Sequence, residues 1–304
     1  MSSMKILLLG KNGQVGWELQ RALQPLGKVT ALDRSLNEEG LCGDIANFEA
    51  IEHLLNRVQP DVVINATAYT AVDKAESDQE VADLINHKAV AHLAQLCQKQ
   101  NVLLMHYSTD YVFDGAGITP WVEDAPKQPI NYYGQTKYEG EIALEKSQVR
   151  FINFRTCWVY GAHGHNFIKT MLKLAESKSE LSIIQDQVGV PTGAALIADV
   201  TAQALRYYTL QNFDQQKQLH GHYHLAPAGE TTWYDYANYI FEQARQSGAT
   251  LAIQTVNPIA TSAYPTPASR PLNSRLDTQK LQQTFKLHLP VWQQGVAQVI
   301  NEIL

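Results

Sequence analysis

The stretch "KILLLGKNGQVGWELQ", Lys5–Gln20, decides how the chain folds. Ile6 to Leu9 form an unbroken apolar run, the pattern of a strand buried on both faces. The run enters Gly10, Gly13 and Gly16, spaced GxxGxxG, and then an amphipathic helix. Each glycine has a mechanical task. One permits a tight turn, one lets a pyrophosphate approach the backbone, and one lets helix and strand pack closely. The pyrophosphate would sit on the helix N-terminus, where free N–H groups and the dipole favour negative charge. A glycine turn without a ligand looks the same in isolation, so the reading depends on what surrounds it.

Working outward, apolar runs alternate with amphipathic ones. "KVTALD" (28–33), "DVVINATA" (61–68) and "VLLMHYST" (102–109) read as strands. "ANFEAIEHLLNRVQP" (46–60) and "EVADLINHKAVAHLAQLCQKQN" (80–101) read as helices between them. Val/Ile/Leu strands separated by helices indicate a doubly wound parallel α/β sheet of the Rossmann type. After "RFINFRTCWVYG" (150–161) the rhythm weakens. Helices at "NFIKTMLKLAES" (166–177) and "TTWYDYANYIFEQARQSG" (231–248) precede "NPIATSAYPTPASRPLNS" (257–274), which reads as an irregular loop. The expected division is a dinucleotide-binding domain over 1–160 and a smaller, loop-rich substrate-binding region over 161–304. Segments near 185–210 are expected to return to the first domain.

Bulk properties exclude several classes. The 304 residues carry a formal charge of -6, which argues against a nucleic-acid surface. No run approaches the roughly 20 apolar residues of a membrane span. The first residues read as a buried strand rather than a signal peptide. The three cysteines, Cys42, Cys97 and Cys157, lack paired-ligand spacing and suggest free thiols in a reducing cytoplasm.

Asp33 and Arg34 end the second strand, about 20 residues past the glycines. The acid suits the ribose hydroxyls of NADH, and the guanidinium suits the 2′-phosphate of NADPH, so both cofactors stay open. Asp44 and Ile45 could border the adenine. The stretch from Asn65 through Ala68, Tyr69 and Thr70 follows the next strand, where the nicotinamide ribose should lie.

The strand "VLLMHYST" delivers Ser108 and Thr109 to the carboxyl edge of the sheet, where such folds bind ligands. Tyr133 and Lys137 follow in "NYYGQTKYEG" (131–140), one helical turn apart on one face. A carbonyl reductase needs a hydroxyl to hold the substrate oxygen and an acid to protonate it as hydride arrives. A phenol near pKa 10 must fall roughly three units, about 4 kcal/mol, to act near neutrality. A neighbouring lysine cation works in that direction.

This combination resembles the extended short-chain dehydrogenase/reductase family. The stretches "ATAYTAVDKAES", "YSTDYVFDG", "FRTCWVYG", "VGVPTGAALIAD", "TTWYDYA" and "PTPASRPLNSRL" are similar to its dTDP-4-dehydrorhamnose reductase branch over nearly the whole chain. The resemblance implies NAD(P)H-dependent reduction of the 4-keto group of dTDP-4-dehydro-6-deoxy-L-mannose. It implies Tyr133 as proton donor, Lys137 as its pKa partner and Thr109 as a tuning hydroxyl. Gly13, Gln14, Val15, Asp33, Asp44, Ile45 and Ala68–Thr70 would line the cofactor. Val72, Asp110, Tyr111 and Trp158 would face the dTDP-sugar.

Some members join two subunits through Mg²⁺ held by glutamates. Glu18 and Glu302 match two of those positions, but Ala195 stands at the third. Losing a carboxylate weakens an oxygen-ligand site, so no obligatory Mg²⁺ is expected and a homodimer is left open. His220, His222 and His224 in "HGHYH" read as surface or strand-edge residues rather than a zinc site. Arg270 and Arg275 could grip a diphosphate or pair with acids such as Asp277. Two other readings compete: a sugar-nucleotide epimerase or dehydratase, and an NADP-binding regulatory subunit of the same fold. Thr109 is followed by Asp110 and Tyr111 rather than a dehydratase's Asp-Glu pair, and the complete Thr109/Tyr133/Lys137 set disfavours a regulatory role.

Overall fold

A computed structural model describes residues 3–304. In the first half, β1 (Met4–Leu9), α1 (Gln14–Leu23), β2 (Gly27–Leu32), α2 (Phe48–Val58) and β3 (Val62–Asn65) alternate. A short α3 (Val72–Ala75), α4 (Gln79–Asp83) and α5 (Ala89–Lys99) lead to β4 (Leu103–Thr109), followed by α6 (Tyr132–Lys146) and β5 (Phe151–Thr156). The second half contains β6 (Val159–Tyr160), α7 (Phe167–Ala175), β7 (Glu180–Ile184), β8 (Val188–Gly189), β9 (Thr192–Gly193) and α8 (Ala194–Thr209). It continues with α9 (Phe213–Gln218), β10 (Gly221–His224), β11 (Thr231–Thr232), α10 (Trp233–Gln246), β12 (Thr255–Ile259), α11 (Gln279–Phe285) and α12 (Trp292–Ile303).

The six-stranded sheet has the order β10-β5-β4-β3-β1-β2, and all its pairings are parallel. Its central strands are apolar on both sides because helices cover both faces. Ile6, Leu8, Ile64 and Met105 pack toward one helical layer, and Leu7, Leu9, Val63 and Leu104 toward the other. β1 lies between β2 and β3, so the winding direction reverses there, and such folds bind ligands at that carboxyl-end crevice.

The sixth strand, β10, comes from "HGHYH". His224 is fully buried, and its imidazole is pushed down to about 3, first by burial and then by the Arg155 charge. It is a core histidine, with Nδ1 3.0 Å from the Trp121 carbonyl. His222 lies between Asn153 and Glu145, at 2.8 and 3.0 Å. α8 packs on α1, and its apolar face joins the same core as β1.

Two local readings need correction. The helix expected over 80–101 contains a π-turn at Leu84–Lys88, and that turn faces α6. The loop expected over 257–274 begins as strand, since β12 pairs in parallel with β7. Among the described residues no helix is long and apolar enough to cross a membrane.

Candidate active site

The glycine loop fills the space between β1 and β3. Gly10 has φ +88°, and a Cβ there would meet the Ala66 carbonyl carbon and oxygen at 2.9 Å. A Cβ on Gly16 would lie 2.0 Å from the Gly10 oxygen, so this glycine permits the close approach of α1. Gly13 differs from both. Its hypothetical Cβ finds only the Gly10 oxygen at 3.5 Å, which leaves its outer face open. The first α-helical bond of α1 runs from Trp17 N–H to Gly13. The preceding N–H groups have no i−4 partner, and the first turn carries no acid. An open glycine followed by free N–H groups fits a dinucleotide diphosphate.

Asp33 accepts from Asn12 Nδ2 at 2.6 Å and from Ser35 N–H at 2.7 Å, and Lys11 Nζ lies 3.8 Å away. These contacts hold its carboxyl below the usual range, the Ser35 N–H foremost. Asn12 and Lys11 occupy the variable positions of GxxGxxG, where the motif alone gave no reason to single them out. Arg34 is exposed and makes no ion pair among the described residues. Asp44 accepts from Ala46 N–H within its own turn, and the Ile45 side chain lies in the core.

On the other side of the crevice, the Tyr69 backbone is held at both ends by one side chain. Asn86 Oδ1 accepts from Tyr69 N–H at 2.8 Å, and Asn86 Nδ2 donates to the Tyr69 carbonyl at 3.0 Å. The same amide lies 3.1 Å from Thr136 Oγ1 on α6. Asn86 thus ties the Ala68–Thr70 segment to the helix carrying Tyr133 and Lys137. Its signal was present, a lone polar residue on the buried side of an apolar helix, but no motif marks it.

α6 starts at a cap. Asn131 Oδ1 accepts from Gly134 N–H at 2.8 Å, while its Nδ2 donates to the Ser269 carbonyl. Gly134 lets the helix press on β4's extension, since a Cβ there would sit 2.3 Å from the Tyr111 carbonyl oxygen. Tyr133 meets Tyr111 edge-on at 5.7 Å between ring centroids. Burial raises the Tyr133 hydroxyl above its ordinary value, opposed by the Thr109 hydroxyl. Lys137 is buried, and Nζ donates to the Tyr107 carbonyl at 2.7 Å. Burial lowers its ammonium to about 8.

Thr109 accepts from Tyr111 N–H at 3.2 Å and donates to Asp110 Oδ1 at 3.1 Å. Asp110 is 2 % exposed, and burial pushes it up to about 7, opposed by Ser274 and Thr109. Its Oδ2 has no hydrogen-bond partner, and the same is true of the buried Ser108 and Thr156 hydroxyls. Unpaired polar atoms of this kind are uncommon in protein interiors and suit a site that receives a polar ligand.

Val72 opens α3, and neighbouring Asp73 pairs with Arg270 at 2.8 Å. Arg275 pairs with Glu230 at 2.6 Å. Both arginines therefore bind acids, though neither binds Asp277. Trp158 stacks on Trp233, with centroids 3.7 Å apart. Glu18 lies 3.6 Å from Arg21, and Glu302 accepts from Gln298. Among the described residues the grouping with metal-ligand geometry is instead Asp83, His87 and Glu139, where Lys88 already pairs with Asp83 at 2.7 Å.

The family model described as RmlD substrate binding domain matches residues 4–304. The dTDP-4-dehydrorhamnose reductase of Shigella flexneri is 50% identical over 300 residues, covering 99% of this chain and 98% of that protein. The enzyme of the same name from Burkholderia thailandensis is 43% identical, with 99% of each chain covered. The crystal structure of dTDP-4-dehydrorhamnose reductase from Bacillus anthracis in complex with NADP superposes with a TM-score of 0.87. It is 30% identical and covers 99% of this chain and 100% of that one. The chain belongs to the RmlD substrate binding domain family, together with the dTDP-4-dehydrorhamnose reductases it resembles along its whole length.

Proposed function

We propose that the chain reduces the 4-keto group of dTDP-4-dehydro-6-deoxy-L-mannose to give dTDP-L-rhamnose, with NADPH or NADH as reductant. The observation that carries this reading is the convergence of the glycine loop, the Thr109 strand end and the Tyr133/Lys137 helix on one crevice. A bound nicotinamide supplies the hydride. Tyr133 gives its proton to the oxygen that gains charge as the carbonyl carbon is reduced. Burial keeps the phenol protonated but raises it, against the fall expected from the sequence, so the Lys137 cation must stabilise the phenolate as it forms. Thr109, which opposes the rise that burial gives Tyr133, orients the same oxygen.

Lys137 is held at the foot of the site by the Tyr107 carbonyl, so its cation is fixed in place as Tyr133 becomes phenolate. Gly10, Gly13, Gln14, Val15 and Gly16 hold the diphosphate, and Asp33, Arg34, Asp44 and Ile45 surround the adenosine end. Ala68, Tyr69 and Thr70 border the nicotinamide ribose. Val72, Asp110, Tyr111 and Trp158 bind the sugar nucleotide. Residues 1–160, with α8 and β10 returning to them, form the cofactor-binding part, and the remainder mainly binds substrate. Free cysteines, two of them buried, support a reducing cytoplasmic compartment. With Ala195 in the first turn of α8, the reading includes no Mg²⁺.

The test is NADH and NADPH oxidation with the keto sugar, generated from dTDP-glucose by the preceding dehydratase and epimerase. Turnover should require the epimerase and fall at least 100-fold in Tyr133→Phe. Tight cofactor binding without turnover on either cofactor would sink the proposal.

A further inference from the structure

Trp158 is the non-glycine residue near the site with a left-handed backbone, at φ 46°. A bulky side chain is a genuine outlier there, and such strain persists only where the surroundings over-determine it. Three contacts do so. Its carbonyl accepts from Thr192 N–H at 3.2 Å. Gly189 lies under the indole, and a Cβ there would come within 2.9 Å of Cε2 and Cζ2. Trp233 covers the ring at 3.7 Å with an interplanar angle of 20°.

Trp233 is itself fixed. Its Nε1 donates to Gln187 Oε1 at 3.1 Å, and Gln187, 5 % exposed, donates on to Thr261 Oγ1 at 3.1 Å. Phe167 packs against it at 4.6 Å. Gly189 pairs with Thr231 across the β8–β11 ladder, so one short ladder places the floor under Trp158 and starts the helix that carries Trp233. The same ladder reaches the strand-end acid. Ser274 N–H donates to the Val188 carbonyl at 2.8 Å, and Ser274 opposes the rise that burial gives Asp110.

From this arrangement we propose that Trp233 is a positioning residue for recognition of the sugar nucleotide. It acts by holding the strained Trp158 indole as a rigid slab in one orientation against the substrate. The proposal rests on the reading of Trp158 as a substrate-binding residue. It goes beyond that reading in assigning the specificity of the slab to a residue on a different element, reached through Gln187 and Gly189. A rigid, pre-oriented aromatic surface binds without first losing rotamer freedom, so loosening it weakens substrate binding before it affects chemistry.

The experiment compares Trp233→Leu, Trp233→Phe, Gly189→Ala and Trp158→Leu in steady-state kinetics and cofactor titration, with thermal unfolding of each. Trp233→Leu and Gly189→Ala should each raise KM for the keto sugar about tenfold, with kcat within about threefold and cofactor Kd unchanged. Trp233→Phe should recover most of the loss. The near-UV circular dichroism of the stacked indoles should disappear in Trp233→Leu and Trp158→Leu alike. If Trp158→Leu raises KM while Trp233→Leu and Gly189→Ala do not, the positioning role is wrong. A parallel fall in kcat and cofactor affinity that Trp233→Phe does not rescue would make the residue merely structural. An unchanged KM in Trp158→Leu would instead remove the substrate-binding reading beneath the proposal.

Discussion

Glu141 and Arg155 form a two-pronged ion pair in the interior, with Arg155 Nε to Oε1 and Nη2 to Oε2 each at 2.8 Å. The two residues are 2 % and 1 % exposed. Glu141 lies one helical turn beyond Lys137 on α6, and Arg155 lies on β5, so the pair fixes α6 against the sheet. Arg155 Nη1 also donates to the Glu123 carbonyl at 2.8 Å, which leaves little of the guanidinium unsatisfied.

Removing one partner leaves the other charge buried without compensation. Arg155→Met is expected to lower stability by about 3–5 kcal/mol in denaturant unfolding. Acid adds a second signature. Burial pushes the Glu141 carboxyl up, and Arg155, by hydrogen bond and charge, more than reverses this and leaves it at about 2. A carboxyl depressed in the folded state contributes stability that is fully present above its unfolded value of about 4.5. That contribution falls as the pH drops from there and is gone below about 2. Wild-type protein should lose stability across this window, and Arg155→Met should lose less of it. Parallel curves for the two proteins would refute the assignment.

A different titration is expected to govern turnover. Lys137 falls to about 8 through burial, partly offset by the negative charge of Glu141, whereas burial raises Tyr133. Tyr133 therefore stays protonated across the working range, and the group that changes charge near pH 8 is the lysine. The kcat profile is expected to show a basic limb near 8, where the fixed cation is lost. A limb at 10 or above would assign the loss to the tyrosine instead. Lys137→Met, with no cation at any pH, should lower kcat by about 10²–10⁴ and leave no limb near 8.

Much of this was legible from residue patterns because parallel strands and glycine turns leave local signatures. The apolar run Ile6–Leu9 and the glycines after it marked the first strand and turn of the sheet, since both depend on neighbours close in sequence. Thr109, Tyr133 and Lys137 were legible for the same reason, at a strand end and on one helical face. Asn86, Arg155 and Trp233 were not. Each acts on a residue far along the chain, Tyr69, Glu141 and Trp158 respectively, and single-sequence periodicity carries no information about such pairs. The histidine run lies on the edge strand β10, as its strand-edge reading expected, but the burial of His224 on that strand was not legible. Its burial follows from β10 pairing with β5, which only the sheet order reveals.

Asn86 offers the clearest separation of cofactor binding from chemistry. It touches neither the proposed acid nor the glycine loop, yet both polar ends of its buried amide, set in the π-turn, hold Tyr69. π-turns of this kind occur often at functional sites. Asn86→Ala leaves the Tyr69 N–H and carbonyl without their partners and frees Thr136 on α6, a loss of about 1–3 kcal/mol for the buried groups. Because the Ala68–Thr70 segment borders the nicotinamide ribose in the proposed function, cofactor Kd should rise about 10- to 100-fold. At saturating cofactor kcat should stay within a few fold, since Tyr133, Thr109 and Lys137 keep their own contacts. Fluorescence titration with NADPH and NADH measures the first quantity, and steady-state turnover measures the second. An unchanged Kd with depressed kcat would show that Asn86 serves the acid/base helix through Thr136 rather than the cofactor loop through Tyr69.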